Sequence, residues 1–465
     1  MTFSRAHNPV HAQYRLGSEL VASPTLCCDI NEFYVYCFLQ IELKELFDYR
    51  DLFFENNPIE LAPDKNKLVD EKKDVLVEKF ESIDGKYQIP FSLRARFLFM
   101  KGRCYNISTN YDARATQCLS KAVKLHPQMV DAWNELGECY WKNMNVKEAK
   151  ASFEGALKHE RNRLSLRCLS IILRQETGDA KREDSTPTIA RSVELAREAV
   201  ALDTKDGVSW IVLGNAYLCQ FFLGTQDPAK LKLCMSAYKQ ALMDPVAKGQ
   251  PDLYYNKGIA LKFEECYAEA LSDFEYACRL DPPWELPRQE LARLRQYLAA
   301  ADDLARTRGR VKTKRLQQMV QSIDKKMLGV YATATIDNMG SREIAFNHIT
   351  FDQLVEGKNT GKVVLGKVVG SIHNENAVPF TFAIVDASMQ CVLVTVYNWA
   401  DGRGAIIGDS VAIPEPRLQL HKMDAPLYDF KSIRVNNPTL LRVNGKRVGV
   451  EQFASTKVTS TYEVH

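Results

Sequence analysis

One stretch of the sequence has the spacing of a nucleotide-binding phosphate loop, GKVVLGKV at residues 361–368. Such a loop needs Ser or Thr after its lysine to hold magnesium, and a glycine-rich interior that wraps the phosphates. Here Val368 takes the magnesium-binding place, and the interior Lys-Val-Val-Leu favours a strand. The HExxH, GxSxG and CxxC motifs do not occur in the chain. The sequence therefore predicts a protein that is not an enzyme and uses neither a metal nor a cofactor.

Other polar residues could bind a ligand without reacting with it. They lie on helical segments and are Asn134, Glu138, Arg174, Asn215, Asp252 and Asn256. Arg174 and Asp252 carry opposite charges and could pair with an acidic and a basic side chain of one short peptide. A groove that clamps a C-terminal carboxylate would have Lys and Asn in place of Asn134 and Glu138, so we do not expect a carboxylate clamp. Taken singly, each of the six is also consistent with a solvated helix residue.

A basic segment, Arg306 to Leu316, carries six cations and no acidic residue. The chain has a formal net charge of +3, and residues 304–323 contribute +6, so the remainder sums to 3 − 6 = −3. The cations recur at every second position from 306 to 314, which in an extended chain places them on one face about 6.6 Å apart. Such a ribbon suits a nucleic-acid phosphate backbone, although a solvated linker or a weak import signal remains an alternative. The cations expected to contact RNA are Arg310, Lys312, Lys314 and Arg315.

The elements that carry the peptide-binding candidates are helical hairpins that recur along the chain. The segment 131–157 shows two helical stripes separated by a short polar turn. Its marker residues are Trp133, Leu136, Gly137, Tyr140, Ala149, Phe153 and Ala156. The same frame recurs at Gly258, Ala270, Phe274, Ala277 and Pro282, with further copies around Gly102 and Gly214. This is the tetratricopeptide pattern, and it predicts five to six helix pairs with loops inserted at residues 175–188 and 223–230. The aromatic markers are expected to be core, and the first helices to line a peptide-binding groove.

After residue 328 the helical period gives way to alternating β-branched runs cut by Gly, Pro and Asn. About five strands within 100 residues predict a small closed barrel of the OB-fold type, with a short helix at residues 400–405 between the third and fourth strands. Phe380, Phe382, Tyr397 and Trp399 would either stack on bases or fill the barrel core, and the low cation content of these strands favours the core.

The chain has 465 residues, enough for several domains. We expect an α + β protein of two folded domains, a right-handed tetratricopeptide solenoid followed by an OB-fold barrel. The predicted boundaries are a flexible N-terminal extension at 1–40, the helical repeats at 41–300, a basic linker or helix at 301–328 and the barrel at 329–465. The scattered cysteines indicate a reducing compartment, and we expect no signal peptide and no membrane span.

In order along the chain, the repeats, KTKRL, GKVV, VPFTF, GDSVAIPEP and LLRVNGK resemble the tetratricopeptide repeat protein 5 family, also called Strap, over about residues 40–450. The resemblance implies an adaptor that recognises the N-terminal Met-Arg-Glu peptide of nascent α- and β-tubulin at the ribosome and promotes decay of tubulin mRNA (tubulin autoregulation) through a decay effector. It also implies that Arg174 faces the nascent glutamate, that Asp252 faces the nascent arginine, and that Lys312 and Lys314 contact large-subunit ribosomal RNA. Cytoplasmic and nuclear localisation would follow.

Two other functions stay open from the sequence. The first is a nuclear scaffold for stress-responsive transcription that binds a histone acetyltransferase coactivator, with KTKR as an import signal. The second is a protein whose barrel binds single-stranded nucleic acid. The residues alone weigh these functions almost equally with the nascent-chain adaptor, and the resemblance favours the adaptor.

Overall fold

The structure is a computed structural model that describes residues 28–86, 88–176, 182–224, 226–332, 335–337, 343–372, 379–399, 404–424 and 427–449. Two compact units are present. Within the described residues, unit 1 comprises 28–56 and 64–160, and unit 2 comprises 57–63 and the chain from 161 onward.

Unit 1 is entirely helical in its described part. Its helices are α1 (Cys28–Asp51), α2 (Phe53–Asn56), α3 (Lys65–Lys86), α4 (Phe91–Asn106), α5 (Ala113–Leu125), α6 (Val130–Lys142) and α7 (Val146–His159). The helices α4 and α5 form one antiparallel repeat, and α6 and α7 form the next. Helix α1 continues across residue 40, where the sequence analysis placed the end of an extension; residues 1–27 lie outside the described residues, so the extension stays a prediction.

Unit 2 begins with three more helix pairs and ends in a sheet domain. Its helices are α8 (Arg163–Glu176), α9 (Arg182–Leu202), α10 (Gly207–Leu223), α11 (Pro228–Ala241), α12 (Pro245–Lys248), α13 (Pro251–Phe263), α14 (Tyr267–Leu280), α15 (Glu285–Thr307) and α16 (Thr313–Gln321). The pairs are α8 with α9, α10 with α11, and α13 with α14. Helix α9 starts at residue 182 and runs through Pro187, so most of the loop predicted at 175–188 is helical.

In four of the five repeats a glycine on the first helix lies against a large side chain of the second helix, as the marker pattern predicts; α8 has no glycine. A Cβ atom added to Gly137 would lie 2.6 Å from the Phe153 ring, and one added to Gly258 would lie 2.7 Å from the Phe274 ring. The two phenylalanines are fully buried, as the prediction of a core role requires. Trp133 remains partly exposed, because its indole N–H leaves the helix pair to donate to the Pro127 carbonyl at 2.7 Å.

The sheet domain is a barrel built from six strands of a larger sheet. They are β5 (Lys362–Ile372), β6 (Phe380–Val385), β7 (Cys391–Val396), β8 (Ser410–Pro414), β9 (Arg417–Asp424) and β10 (Leu427–Val435). The barrel strands lie in the order β8-β5-β6-β7-β10-β9, and only the pairing of β7 with β10 is parallel. Because β8 and β9 are separated only by residues 415–416, they act as one bent strand that closes the barrel. This five-stranded Greek-key arrangement is the predicted OB fold.

Short strands complete the domain: β1 (Thr335–Asp337), β2 (Glu343–Ala345), β3 (Asn347–His348), β4 (Gly357–Lys358), β11 (Arg442–Val443) and β12 (Lys446–Arg447). The stretch with phosphate-loop spacing forms β5, and Val363 and Val364 are completely buried, so its interior is a strand as predicted. The helix expected at 400–405 is not formed at residues 404 and 405, which are not helical. Its other residues, 400–403, lie outside the described residues.

The prediction that the basic segment is extended is wrong. Arg306 lies in the last turn of α15, which ends at Thr307; residues 308–310 form a 3-10 turn, and Thr313 starts α16. Gly309 has φ +66°, and a Cβ atom there would lie 2.2 Å from the Val369 carbonyl oxygen of β5. The left-handed turn follows from this contact, because only glycine lets the chain turn back so close to the strand. The cations therefore lie on two helix ends and a turn.

Within the described part of the chain, no helix is both long enough and apolar enough to cross a membrane.

Candidate functional site

Three first helices of successive repeats, α8, α10 and α13, carry four of the six predicted peptide-binding residues in unit 2. Helix α13 starts at Pro251, whose fixed φ suits the first helical position, and this places Asp252 in the first turn. The backbone N–H of Leu253 donates to the Asp252 carboxylate, as expected for an acid at a helix N-terminus.

Asp252 is a buried carboxylate whose strongest neighbours are neutral. Asp252 is 3% exposed. Its Oδ2 accepts a hydrogen bond from the Asn215 amide at 3.5 Å, which is long for such a bond. Burial raises the pKa of Asp252 to about 7, against the hydrogen bonds from Asn215 and the backbone, which lower it. Among the described residues, no Lys, Arg or His nitrogen forms an ion pair with Asp252. The carboxylate is therefore placed to receive a cation from a ligand.

Two asparagines bond to Asp252, one at its carboxylate and the other at its backbone carbonyl. The Tyr238 hydroxyl donates to Asn215 Oδ1 at 2.7 Å, which fixes the amide so that its N–H groups point toward Asp252. One turn along α13, Asn256 Nδ2 donates to the Asp252 carbonyl oxygen at 2.9 Å. Asn215, Asp252 and Asn256 thus form one cluster, and all three are buried, so the alternative of solvated helix residues is wrong for them.

Arg174, near the C-terminal end of α8, is also buried, with 6% exposure. Its Nη1 donates to Ser170 Oγ at 2.9 Å and to Ser192 Oγ at 3.1 Å, which anchors the guanidinium between α8 and α9. Its charge is close enough to Asp252 to lower the pKa of that carboxyl. The two serines were not among the predicted site residues; their only signal in the sequence is a small polar residue four positions before Arg174.

The other two candidates, Asn134 and Glu138, lie on α6 in unit 1. Asn134 is buried and Glu138 is half-buried. Burial lowers the pKa of Lys142, and the charge of Glu138 opposes this shift; the same charge helps to raise the pKa of Arg50. Lys142 Nζ donates to the Asn106 Oδ1 and to the carbonyl oxygens of Asn106 and Ser108, so its three protons are already used. The absence of a carboxylate clamp stays a prediction.

The cations of the basic segment differ in how their charges are used. Arg310 forms an ion pair with Asp303 at 3.0 Å, and Arg306 forms another with the same carboxylate at 3.2 Å. Lys312, Lys314 and Arg315 are exposed at the start of α16, and among the described residues none of them is in an ion pair. Arg308 in the turn is likewise exposed and in no ion pair among these residues, so it and these three are the cations of the segment available to an anionic partner.

The outer face of strands β6, β7 and β10 packs on the repeats. Thr381 of β6 bonds to the Tyr297 hydroxyl of α15 at 3.0 Å, and Tyr397 after β7 packs edge-on against Phe263 of α13 at 4.9 Å between ring centroids. OB folds bind oligonucleotides through the face of their second and third strands, which here are β6 and β7. Phe382, Tyr397 and Trp399 are buried, so they are core residues, and the prediction of a base-stacking surface is not supported by them.

Glu265, which the sequence analysis did not single out, lies at the centre of this junction. The Glu265 carboxylate is fully buried and accepts from the Thr395 hydroxyl at 2.8 Å and the Tyr397 hydroxyl at 3.0 Å. Arg434 Nη1 lies 3.7 Å from it, and the guanidinium packs over the ring of Tyr397 at 4.1 Å. Arg434 also donates to the Phe263 carbonyl, the last residue of α13. We call Glu265, Thr395, Tyr397, Ser432 and Arg434 the junction cluster.

A surface cavity of about 330 Å³ lies elsewhere on unit 2, between α13 and α14. It is lined by Tyr254, Tyr276, Asp273 and Arg279, among others. Its charges are already paired, Asp273 with Lys257 at 2.7 Å and Arg279 with Glu60 at 3.3 Å. The buried cluster around Asp252 is therefore the better candidate for ligand recognition.

The fold and site define a tetratricopeptide repeat protein with an OB-fold barrel, an adaptor-type architecture of the kind that binds other proteins. The family model for the tetratricopeptide repeat protein 5 OB fold domain matches residues 345–457, and a tetratricopeptide repeat model matches residues 130–162. Tetratricopeptide repeat protein 5 of Homo sapiens and of Mus musculus are each 40% identical to the chain, and that of Bos taurus is 39% identical. Each comparison covers 91% of this chain and 96% of the relative. The chain belongs to the tetratricopeptide repeat protein 5 family.

Proposed function

We propose that the chain is a non-enzymatic adaptor that reads the Met-Arg-Glu start of nascent α- and β-tubulin at the ribosome and promotes decay of the tubulin mRNA. The observation that carries the proposal is the buried Asp252 carboxylate, which has neutral partners and lies within electrostatic range of the buried Arg174. A peptide with neighbouring Arg and Glu side chains offers one cation for Asp252 and one anion for Arg174.

Peptide binding would compensate for the cost of burying the Asp252 charge. A desolvated carboxylate gains a charge-assisted hydrogen bond when a guanidinium arrives, and such a bond contributes about 1.5–3 kcal/mol. Two such bonds select a peptide only moderately, so the exposed cations Lys312, Lys314 and Arg315 would supply a second attachment, to ribosomal RNA. Linked weak sites gain about a hundredfold or more in apparent affinity without new contacts. The site of action would be the cytoplasm, with a decay effector as the further partner.

The test uses ribosomes that display a tubulin N-terminus with a photo-crosslinker next to the Met-Arg-Glu sequence. Asp252→Asn keeps the shape of the side chain but removes its charge, and we expect crosslinking of this variant to fall by about tenfold or more. Glu264→Gln is the matched control, because it removes an exposed carboxylate just beyond the end of the same helix. Equal crosslinking by Asp252→Asn and the unaltered protein would refute the proposal.

The nuclear scaffold and the single-strand binder remain weaker proposals. The packing of β6, β7 and β10 against α13 and α15 counts against base stacking on that face of the barrel. For the nuclear role, the exposed Lys312 and Lys314 are compatible with an import signal. A Lys312→Ala/Lys314→Ala variant that enters nuclei normally would count against that role.

A further inference from the structure

A second group of exposed cations lies in unit 2 beyond the basic segment. It consists of Lys325, Lys326, Lys446 and Arg447, which we call the hairpin patch. The first two lie on a 3-10 turn (Lys325–Ala332) that follows α16, and the other two form β12, the outermost strand of the sheet.

Backbone packing brings the two pairs of cations together. A Cβ atom on Gly445 would lie 3.4 Å from the carbonyl oxygen of Lys326, and one on Gly329 would lie 2.6 Å from the carbonyl oxygen of Gly445. Both glycines have positive φ, +78° and +59°, a conformation that glycine adopts without strain, and their lack of a side chain allows the hairpin and the turn to approach each other closely. The patch is therefore held by rigid elements, although its side chains are exposed.

The charges of the hairpin patch are not used inside the described part of unit 2. None of the four side chains forms an ion pair with a described residue. Arg442, on the neighbouring strand β11, behaves differently: its Nη1 donates to the carbonyl oxygens of Thr439 and Leu441 at 3.0 and 2.9 Å. The nearby Asp324 uses one carboxylate oxygen to accept from the Lys326 backbone N–H at 2.9 Å. The patch thus has a net positive charge without a structural partner among these residues.

Helix α16 connects this patch to the exposed cations of the basic segment. Leu316 is buried and Met319 packs on the core, so the helix is fixed on the unit by one face. Its opposite face exposes Gln317, Gln318 and Gln321, which are neutral donors between two groups of cations. A nine-residue helix is about 13 Å long. That length spans several consecutive phosphates of a nucleic-acid backbone.

We propose that the hairpin patch is a second contact for an RNA phosphate backbone, continuing the path of Lys312, Lys314 and Arg315 along α16. Cations and glutamine amides are the side chains that bind phosphates and sugars without reading sequence. An acidic protein segment is a different partner, and we favour RNA because the path is long, exposed and lined by neutral donors rather than by apolar pockets. The inference rests on the proposed function for the source of the RNA, the ribosome.

The test measures binding of the full chain to a fluorescein-labelled RNA hairpin of about 20 base pairs by anisotropy, across a range of salt concentrations. The test variant is Lys325→Gln/Lys326→Gln/Lys446→Gln/Arg447→Gln. Each phosphate contact contributes about 0.7–0.9 to the slope of log affinity against log salt. We expect the slope to fall by about 3 and the affinity near 50 mM salt to fall by about tenfold or more.

The control variant changes four other exposed cations of the sheet domain, on β4, β9 and β10: Lys358, which pairs with Glu415 at 2.8 Å, Arg417, Lys422 and Lys431, each to Gln. It removes the same charge, so an equal loss in both variants, or no loss in the test variant, overturns the inference. Two further variants, one for each pair of the patch, guard against misfolding and should each show about half the slope change.

If the test variant loses binding to a poly-glutamate peptide but keeps RNA binding, the partner is an acidic protein and the RNA assignment is wrong. Retained binding of a Met-Arg-Glu peptide by the test variant separates this site from the Asp252 site.

Discussion

Removing the Glu265 carboxylate should destabilise unit 2 strongly. Glu265 is fully buried, and its main counter-charge is Arg434, whose side chain is 5% exposed at 3.7 Å. Burial raises the pKa of Glu265, whereas Arg434 and the three hydroxyl donors lower it. In Glu265→Ala, the guanidinium stays buried without a counter-ion and the donors lose their acceptor. Breaking a buried pair in this way costs about 3–5 kcal/mol.

The measurement is differential scanning calorimetry of the full chain, with amide hydrogen exchange to locate the change. Unit 2 has roughly 310 residues, and at about 2.1 cal/mol/K of unfolding entropy per residue each kcal/mol lowers its Tm by about 1.5 °C. We therefore expect the transition of unit 2 to fall by about 5–8 °C. Faster exchange should be concentrated in the last turn of α13 and in β10, the two elements that the junction cluster connects. The transition of unit 1 should stay in place.

Three variants make the test decisive. Glu264→Ala removes the neighbouring carboxylate, which is exposed, and should change the stability by less than about 0.5 kcal/mol. Glu265→Gln keeps the size of the side chain and some hydrogen bonds, and should fall between the other two. Adding Arg434→Met to Glu265→Gln removes the unpaired charge and should recover part of the loss. If Glu265→Ala is within about 1 kcal/mol of the unaltered protein, the junction cluster does not hold the barrel and the repeats together.

Three more predictions follow from individual side chains. Since burial raises the pKa of Asp252 to about 7, only about one-tenth of it is ionised at pH 6, so a Met-Arg-Glu peptide should bind about tenfold more weakly at pH 6 than at pH 8 by calorimetry. If Asp252→Asn shows the same tenfold difference in affinity, another group causes the pH dependence. Burial lowers the pKa of His421 to about 4, so as the pH falls the unfolded chain is protonated at this histidine before the folded chain is. The free energy of unfolding should therefore decrease by up to about 3 kcal/mol between about pH 6.5 and 4. Urea unfolding of His421→Gln should not show this decrease in stability. A pH profile equal to that of the unaltered protein would contradict the prediction. Gly258→Ala would place a methyl group 2.7 Å from the Phe274 ring and should cost about 1–3 kcal/mol, whereas Gly85→Ala, with nothing within 4 Å, should not be destabilising.

The helical repeats could be predicted because their signals are local. Gly137 and Phe153 are 16 residues apart, and the offset between them follows from the geometry of one helical hairpin. The strands of the barrel were predictable for the same reason, since alternation along one segment marks each strand. The closure of the barrel depends on the parallel pairing of β7 with β10, which no single segment shows.

The candidate site was only partly predictable. The type and helix position of Asp252 were visible in the sequence, but its burial depends on Asn215 and Tyr238 in the preceding repeat. The pattern favoured an extended basic segment, whereas a contact of Gly309 with a strand 60 residues away sets its turn. Local alternation of charge cannot reveal such a contact.

Glu265 shows why the junction was missed. It follows helix α13 in a left-handed conformation, with φ 63°, and Met144 has the equivalent turn position in an earlier repeat, with φ 58°. Met144 is 83% exposed there, whereas Glu265 is buried against strands more than 125 residues further along the chain. The repeat pattern therefore predicts a surface residue at this position, and only the barrel changes that outcome.

Helix α13 has the peptide-site residue Asp252 in its first turn and the barrel-bound carbonyl of Phe263 at its end. A chain that terminates early, before β10, would lack Arg434, and the surface of α13 around Phe263 and Glu265 that the barrel covers would be exposed to water. Deleting the barrel by truncation should thus damage the peptide site as well, through the helix they share. Phenotypes of C-terminal truncations in this family would then describe the loss of both functions together, and point substitutions on the outer surface of the barrel are needed to separate them.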